Sequence, residues 1–346
     1  AQRARIRARV PRVADGGLTA AKARFERRRR RGYTESMTAP ILKSIRFENY
    51  RCLRDVTLEF EPLTVLVGGN ATGKSSVLRG ICQPFRIENE DRWMRQRVVA
   101  SITQTRSVGR SMQSRLQYPG NACSASGDRI ESQLVQLELA RLRERNSLAN
   151  ASQIATDGSN LPNTFATLTR AQQSELVERF CALVPMYRDV AMLPLQGGDH
   201  TVRFQDKWNE NVWYTPDQVS DGTMLVLAYL VLMFQQPQVE LVAIEEPERG
   251  LHPFLLGELV KFFRAMSRGE VGPKPVQVVL ATHSAGLLDH VEPREVRLLS
   301  RDRASGEVRV ETIDEGNENW RHAYDVYEHS LGGIWLSGGI GGTPSS

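Results

Sequence analysis

Gly68-Gly69-Asn70-Ala71-Thr72-Gly73-Lys74-Ser75 is the stretch on which the fold turns. It fits the spacing G-x-x-x-x-G-K-[ST] in full. It stands between the nearly continuous apolar run Leu63-Thr64-Val65-Leu66-Val67 and a segment that opens a helix near Lys74. A strand buried on both faces reads as such a run. Glycines in the following turn let backbone N–H groups converge on phosphate oxygens, and a helix N-terminus adds partial positive charge there. Lys74 would reach the β- and γ-phosphates and the Ser75 hydroxyl would help hold Mg²⁺. An ordinary glycine turn needs no lysine, and lysine is scarce here, with six among 45 basic side chains. Read alone, the loop says nucleotide phosphate and no more.

Working outward, Ile41–Phe47 and Val56–Phe60 alternate as paired strands do. Later in the chain come helix Thr223–Gln235, buried strand Val239–Ile244, helix Phe254–Ser267 and buried strand Val276–Ala281. Strands alternating with helices imply a parallel sheet with helices on its faces. Between the halves, apolar Ile130, Leu134, Leu137 and Leu142 recur at three- to five-residue steps, which predicts a helix over Arg129–Arg145. A second helix is predicted from Thr169, with Gln172 completing a capping box. It runs to Leu183, followed by strands at Val190–Leu193 and Val202–Phe204 around the turn Gly197-Gly198-Asp199. Residues 84–215 thus read as an inserted helical and β subdomain, between lobe I (37–83) and lobe II (216–331).

The strand Leu241-Val242-Ala243-Ile244 ends in Glu245-Glu246. Carboxylates at a strand tip beside a phosphate loop are where a metal ligand and a water-polarising base belong. Successive side chains diverge near a strand end. Glu245 is assigned to metal and Glu246 to the base; solvated glutamates opening a loop are the plainer alternative.

With Val219-Ser220-Asp221-Gly222-Thr223 ahead of an apolar helix, the chain resembles the ABC ATPase superfamily, and within it the RecF, SMC and OLD group. The turn is similar to the signature loop, which in that family closes over the γ-phosphate held by a second subunit. The resemblance therefore implies ATP and Mg²⁺ as ligands, hydrolysis, and a homodimer or higher oligomer. Ser220 would offer a hydroxyl and Gly222 close backbone approach. Asp221 departs from the glycine of transporters. Glu246-Pro247-Glu248-Arg249-Gly250-Leu251-His252-Pro253 resembles the E-P-E-x-x-L-H-P stretch of stand-alone ATPases. Glu245 stands where most relatives carry aspartate. His283, in Leu280-Ala281-Thr282-His283-Ser284, resembles the switch histidine. Asn49-Tyr50-Arg51 resembles the N-[FY]-R element and makes Arg51 a nucleotide contact. The family's pattern extends the phosphate contacts to Gly68, Asn70, Gly73, Lys74, Ser75 and Ser76, with Lys74, Glu246 and His283 as the catalytic set. A metal-binding glutamine is expected after the first helix; Gln83, Gln96 and Gln104 are the candidates. The expected fold is α/β, an ABC ATPase head of the P-loop class with a mostly parallel sheet and an antiparallel β edge.

Neither a long heptad arm of the SMC kind nor, after His283, enough chain for the Toprim domain of OLD proteins is present, so a separately encoded effector is expected. No apolar run approaches the roughly 18 residues of a membrane span, and the longest, Met224–Phe234, suits a buried helix. Cys52, Cys82, Cys123 and Cys181 show no paired spacing. Reduced thiols without a membrane span fit the cytoplasm.

The net charge of +5 is not spread evenly. Residues 1–36 carry 12 Lys+Arg against 3 Asp+Glu, and the remainder 33 against 37. That arginine-rich arm lacks apolar periodicity and is expected to be disordered. Met37 precedes the first strand-like segment. The arm reads as an extension or as a nucleic-acid tether. Residues 332–346, rich in glycine and serine, are expected to be a flexible tail. Residues 92–127 hold Arg92, Arg95, Arg97, Arg106, Arg110 and Arg115 with no acidic side chain. The stretch suits contact with nucleic-acid phosphates, and equally a solvated loop. Two outputs remain open: an ATP-gated clamp or sensor on DNA in repair or anti-phage defence, or a toxin–antitoxin or abortive-infection switch that regulates a protein partner without nucleic acid.

Overall fold

The computed structural model describes residues 39–83, 98–118 and 122–340. The arm (1–36), Gln96, Arg92, Arg95 and Arg97 lie outside the described residues.

The strand before the phosphate loop, β3 (Leu63–Val67), is buried along its whole length. It lies inside a six-stranded sheet with β7 (Ser132–Val135), β12 (Leu241–Glu245), β13 (Gln277–Thr282), β14 (Val296–Arg301) and β15 (Val308–Thr312). The order is β15-β14-β3-β13-β12-β7. All neighbours are parallel except β15, which pairs antiparallel with β14. Both faces are therefore covered: α1 (Lys74–Cys82) packs on one, α4 (Asp221–Phe234) and α5 (Pro253–Ser267) on the other. In α4 every residue from Gly222 to Phe234 is buried, as expected of a helix that is apolar all round.

A second, antiparallel sheet has the order β2-β1-β4-β5-β6. Its strands are β1 (Leu42–Tyr50), β2 (Leu53–Glu59), β4 (Val98–Arg106), β5 (Met112–Tyr118) and β6 (Ala122–Ser126). Gln277, 3 % exposed on β13, stitches the two sheets together. Its carboxamide accepts from Leu42 N at 2.8 Å and donates to Leu42 O at 3.0 Å and Glu61 O at 3.1 Å. Arg297, on β14 and also buried, donates to Glu59 O at 2.7 Å. Buried polar groups satisfied in this way fix the register between layers.

Residues 84–215 are not one insertion. β4, β5 and β6 continue the β1–β2 sheet, with β4 pairing β1, and β7 is the edge of the core sheet. Only the part from β8 (Asn146–Ser147) to β11 (Trp213–Tyr214) stands apart. It contains α2 (Leu161–Thr167), α3 (Arg170–Leu183), β9 (Tyr187–Pro194) and β10 (Asp199–Asp206), and packs Phe180 and Phe204 into the core shared with α4. The capping box at Thr169 and Gln172 forms as expected.

The predicted helix over Arg129–Arg145 does not form. Leu134 and Val135, adjacent in sequence, enter opposite cores, Leu134 with Ile130 and Val135 with Leu142. Opposite faces for successive residues are the signature of a strand, and a single 3₁₀ turn at Arg141–Arg143 follows.

The expected flexible tail is also corrected within the described residues. After α6 (Ala285–Leu288) and α7 (Glu318–Val326), the chain forms α8 (Leu331–Leu336), with Ile334 at 0 % and Trp335 at 4 % exposure. Gly332 makes this docking possible: a Cβ there would stand 2.3 Å from Ala285 O at the start of α6.

Candidate nucleotide site

The phosphate loop leaves β3 and enters α1 through Gly73, whose φ of 100° suits glycine and places α1's N-terminus under the loop. Ala71 also adopts a left-handed φ, 60°. Thr72 closes the turn by donating to Gly69 O at 2.9 Å. The Lys74 ammonium lies along the loop, donating to Gly68 O at 2.7 Å and Gly69 O at 2.8 Å. Burial pushes its pKa down, and Glu246, Glu245 and Glu248 push it back up. The lysine is thus a desolvated cation drawn toward carboxylates. Around it, Asn70 to Ser76, Glu245, Glu246 and Ala281 line one open cleft, with Cys52 from the β1–β2 turn and Arg301 from the end of β14.

The tips of β7, β12 and β13 supply the rest. Ser75 Oγ and Gln136 Nε2 both donate to the Glu245 carboxylate, one to each oxygen. Gln136 follows β7 directly. The other candidates sit elsewhere: Gln83 caps the C-terminal end of α1, roughly 13 Å along a nine-residue helix from the loop, and Gln104 is buried on β4, donating to Ile81 O at 2.9 Å. Hydroxyl, carboxamide and carboxylate oxygens are the hard donors that suit Mg²⁺, so Ser75, Gln136 and Glu245 fit that ion.

Glu246 turns the chain out of β12 with φ 48°, which costs a non-glycine residue on the order of 1 kcal/mol. Its N–H donates to Ala281 O at 2.8 Å. Its side chain meets His283 from the tip of β13, Oε1 to Nδ1 at 3.2 Å, and both are partly exposed, 37 % and 51 %. Arg51 stays in the β1–β2 turn (φ 54°), its guanidinium 5.7 Å from the Tyr50 ring centre.

The signature turn lies apart from this cleft. Ser220 is exposed at the N-cap of α4, its Oγ accepting from Thr223 N at 3.2 Å. Gly222 lies against Gly250 and Leu251, beyond the Glu246 turn. Asp221 has a partner that its sequence does not reveal: Arg143 Nη2 donates to its Oδ1 at 2.5 Å, while Arg143 Nη1 donates to Val219 O at 3.1 Å and to Pro216 O. One guanidinium therefore holds the turn by three bonds. The carboxylate at 221, where transporters carry glycine, is one of the three acceptors of that guanidinium.

Residues 124–289 match the family described as "AAA domain, putative AbiEii toxin, Type IV TA system", and residues 41–86 the family described as "AAA ATPase domain". An OLD nuclease of Thermus scotoductus (strain ATCC 700910 / SA-01) is 46 % identical over 41 residues, 12 % of this chain and 8 % of that relative. Among solved structures, an Smc head bound to the C-terminal winged-helix domain of ScpA aligns with TM-score 0.58 at 12 % identity, over 80 % of this chain and 99 % of that one. A second is an Smc head with an extended coiled coil, bound to the C-terminal domain of ScpA derived from Pyrococcus furiosus. It gives TM-score 0.58 at 10 % identity, over 84 % and 99 %.

Strand order and phosphate loop define a P-loop NTPase fold of the α/β class. The matched segments make the chain similar to AAA and ABC type ATPase domains of the RecF, SMC and OLD group. Among the described residues no helix is long and apolar enough to cross a membrane.

Proposed function

We propose that this domain binds ATP with Mg²⁺ in the cleft, hydrolyses it, and does so as a dimer. The observation that carries the reading is the convergence of Ser75, Gln136, Glu245 and the Glu246–His283 pair on one end of the parallel sheet, beside Lys74. The loop amides and Lys74 would bind the phosphates. Ser75, Gln136 and Glu245 would hold Mg²⁺, which offsets charge on the β- and γ-phosphates. Glu246 accepts a proton from the attacking water, and His283 holds Glu246 and senses the γ-phosphate. Gly68, Asn70, Gly73 and Ser76 would shape the phosphate cradle, and Arg51, in the β1–β2 turn, would contact the nucleotide. The turn led by Ser220, exposed at the N-cap of α4 with Gly222 buried behind it, would cover the γ-phosphate of a second copy. Turnover of MgATP that rises with the square of protein concentration at high dilution tests both parts. First-order dependence throughout would remove the dimer.

For the output, the reading is a cytoplasmic clamp or sensor on DNA, in repair or anti-phage defence, with a separate effector. Arg110, in the turn between β4 and β5, and Arg115, on β5, are both exposed and support it. Arg106 does not, because it is paired with Glu240 at 3.0 Å. That pairing, and the type IV toxin–antitoxin description over residues 124–289, favour the second reading, a switch on a protein partner. A salt-sensitive shift of duplex DNA in the ATP-bound state supports the first. Its absence in every nucleotide state leaves the second.

A further inference from the structure

The Glu246-Pro247-Glu248 turn has a second carboxylate that no step above uses. Glu248 points inward. Its Oε1 accepts from Thr282 Oγ1 at 2.6 Å, and its Oε2 is buried without a hydrogen-bond partner. Thr282, fully buried at the tip of β13, accepts in turn from Ser284 N at 2.9 Å, so its hydroxyl proton is directed to Glu248. The residue after Thr282 is His283, and two residues before Glu248 is Glu246. One hydrogen bond therefore ties the two turns whose leading side chains meet at 3.2 Å. Tyr229 of α4 supports the same turn from below, its hydroxyl donating to Pro247 O at 3.3 Å.

We propose that Glu248 and Thr282 form a positioning clamp that holds His283 against Glu246, so that both turn tips move as one body. Its catalytic consequence rests on the ATPase reading; its geometry does not. Glu246 occupies a left-handed backbone conformation that persists only where the surroundings fix it, and the clamp is the side-chain contact that does so across β12 and β13. Burial raises the Glu248 carboxyl, against the hydrogen bond from Thr282 and the charge of His283. Lys74 and Tyr229 are the other titratable groups that feel its charge.

The test uses four variants of the whole chain: Thr282→Val, Thr282→Ser, Glu248→Ala and Glu248→Gln. Each is read by the ¹⁵N imidazole signals of His283, assigned by their loss in His283→Gln, by ATP affinity and by turnover. In the parent, Nδ1 of His283 is expected to carry the proton donated to Glu246. Thr282→Val and Glu248→Ala are expected to lose that tautomer signature. They should keep ATP affinity within about twofold and drop turnover about 10- to 100-fold, as misplacement near 1 Å does. Thr282→Ser and Glu248→Gln preserve the bond and should behave as the parent. A parent-like His283 spectrum in Thr282→Val overturns the clamp, as does a Glu248→Gln variant as impaired as Glu248→Ala. If the parent itself turns over no ATP, the ATPase reading falls and the imidazole spectra still decide the clamp. Glu248→Ala can fail to fold, and Thr282→Val, nearly isosteric, then carries the test.

Discussion

The two candidate turns of this molecule are built in opposite ways. The phosphate-loop end draws its groups from four strand tips and one helix start, and its polar side chains bond to one another: Ser75 and Gln136 to Glu245, His283 to Glu246, Lys74 to the loop itself. The signature turn presents an exposed Ser220 with only its own helix to cap, held from behind by Arg143. One end is complete within the chain. The other has a scaffold and no occupant from its own cleft. A self-satisfied cluster can be probed in a single copy, whereas a turn held open toward solvent shows its contribution only when a second molecule arrives.

The comparison breaks most readily at Lys74. Lys74→Ala removes charge-assisted hydrogen bonds worth about 1.5–3 kcal/mol each, so ATP affinity measured by calorimetry should fall at least about tenfold. Unchanged affinity would mean that the cleft is not the phosphate site. Glu246→Gln breaks turnover in place of binding. Loss of a general base costs on the order of 10²–10⁴ in rate. The variant should still bind ATP and accumulate as a dimer by light scattering. Parent-rate hydrolysis would move the base elsewhere.

Much of the first end was legible in the sequence, because its chemistry sits in contiguous strings. Gly68–Ser75, Leu241–Glu246 and Leu280–Ser284 each join a buried strand to a polar tip, and each falls where the structure places it. Gln136 was hidden. It follows a four-residue strand in a stretch whose apolar residues Ile130, Leu134, Leu137 and Leu142 mimic helical spacing, although they pack into two separate cores. A strand that short carries too few residues for alternation to outvote a chance three- or four-residue step. Only the parallel pairing with β12, Val135 beside Ile244, reveals it. Arg301 and Cys52 escaped for another reason: they reach the cleft through the β14–β15 hairpin and the β1–β2 turn, and nothing in their local sequence marks a ligand. The glycines after Leu331 read as looseness, yet Gly332 is a contact point. Composition does not tell a glycine that frees the chain from one that lets two helices touch.

The signature end sharpens the comparison with a smaller effect. Ser220→Arg places a bulky cation on an exposed turn without entering the cleft of its own chain. ATP binding by a single copy should stay at parent affinity while nucleotide-driven dimerisation in sedimentation velocity is lost. Dimerisation at the parent midpoint would sever the turn from the interface.

The smallest effect, and the most discriminating, belongs to Arg143. Its bond to Asp221 joins groups 20 % and 47 % exposed, so by itself the pair stabilises the fold by at most about 1 kcal/mol. Arg143→Ala should therefore shift the thermal midpoint by only a few degrees at most. Its bonds to Val219 O and Pro216 O, however, fix the backbone that carries Ser220. The same loop begins at Gln136, seven residues upstream, on the Glu245 carboxylate. If that short segment transmits occupancy of the cleft to the signature turn, Arg143→Ala should weaken ATP-driven dimerisation about tenfold, with single-copy ATP affinity unchanged. Arg143→Lys, which keeps the charge but not the three-way fork, should recover little of it. An Arg143→Lys variant that dimerises like the parent would show that charge alone holds the turn, and the contrast between a finished end and a braced one would reduce to electrostatics.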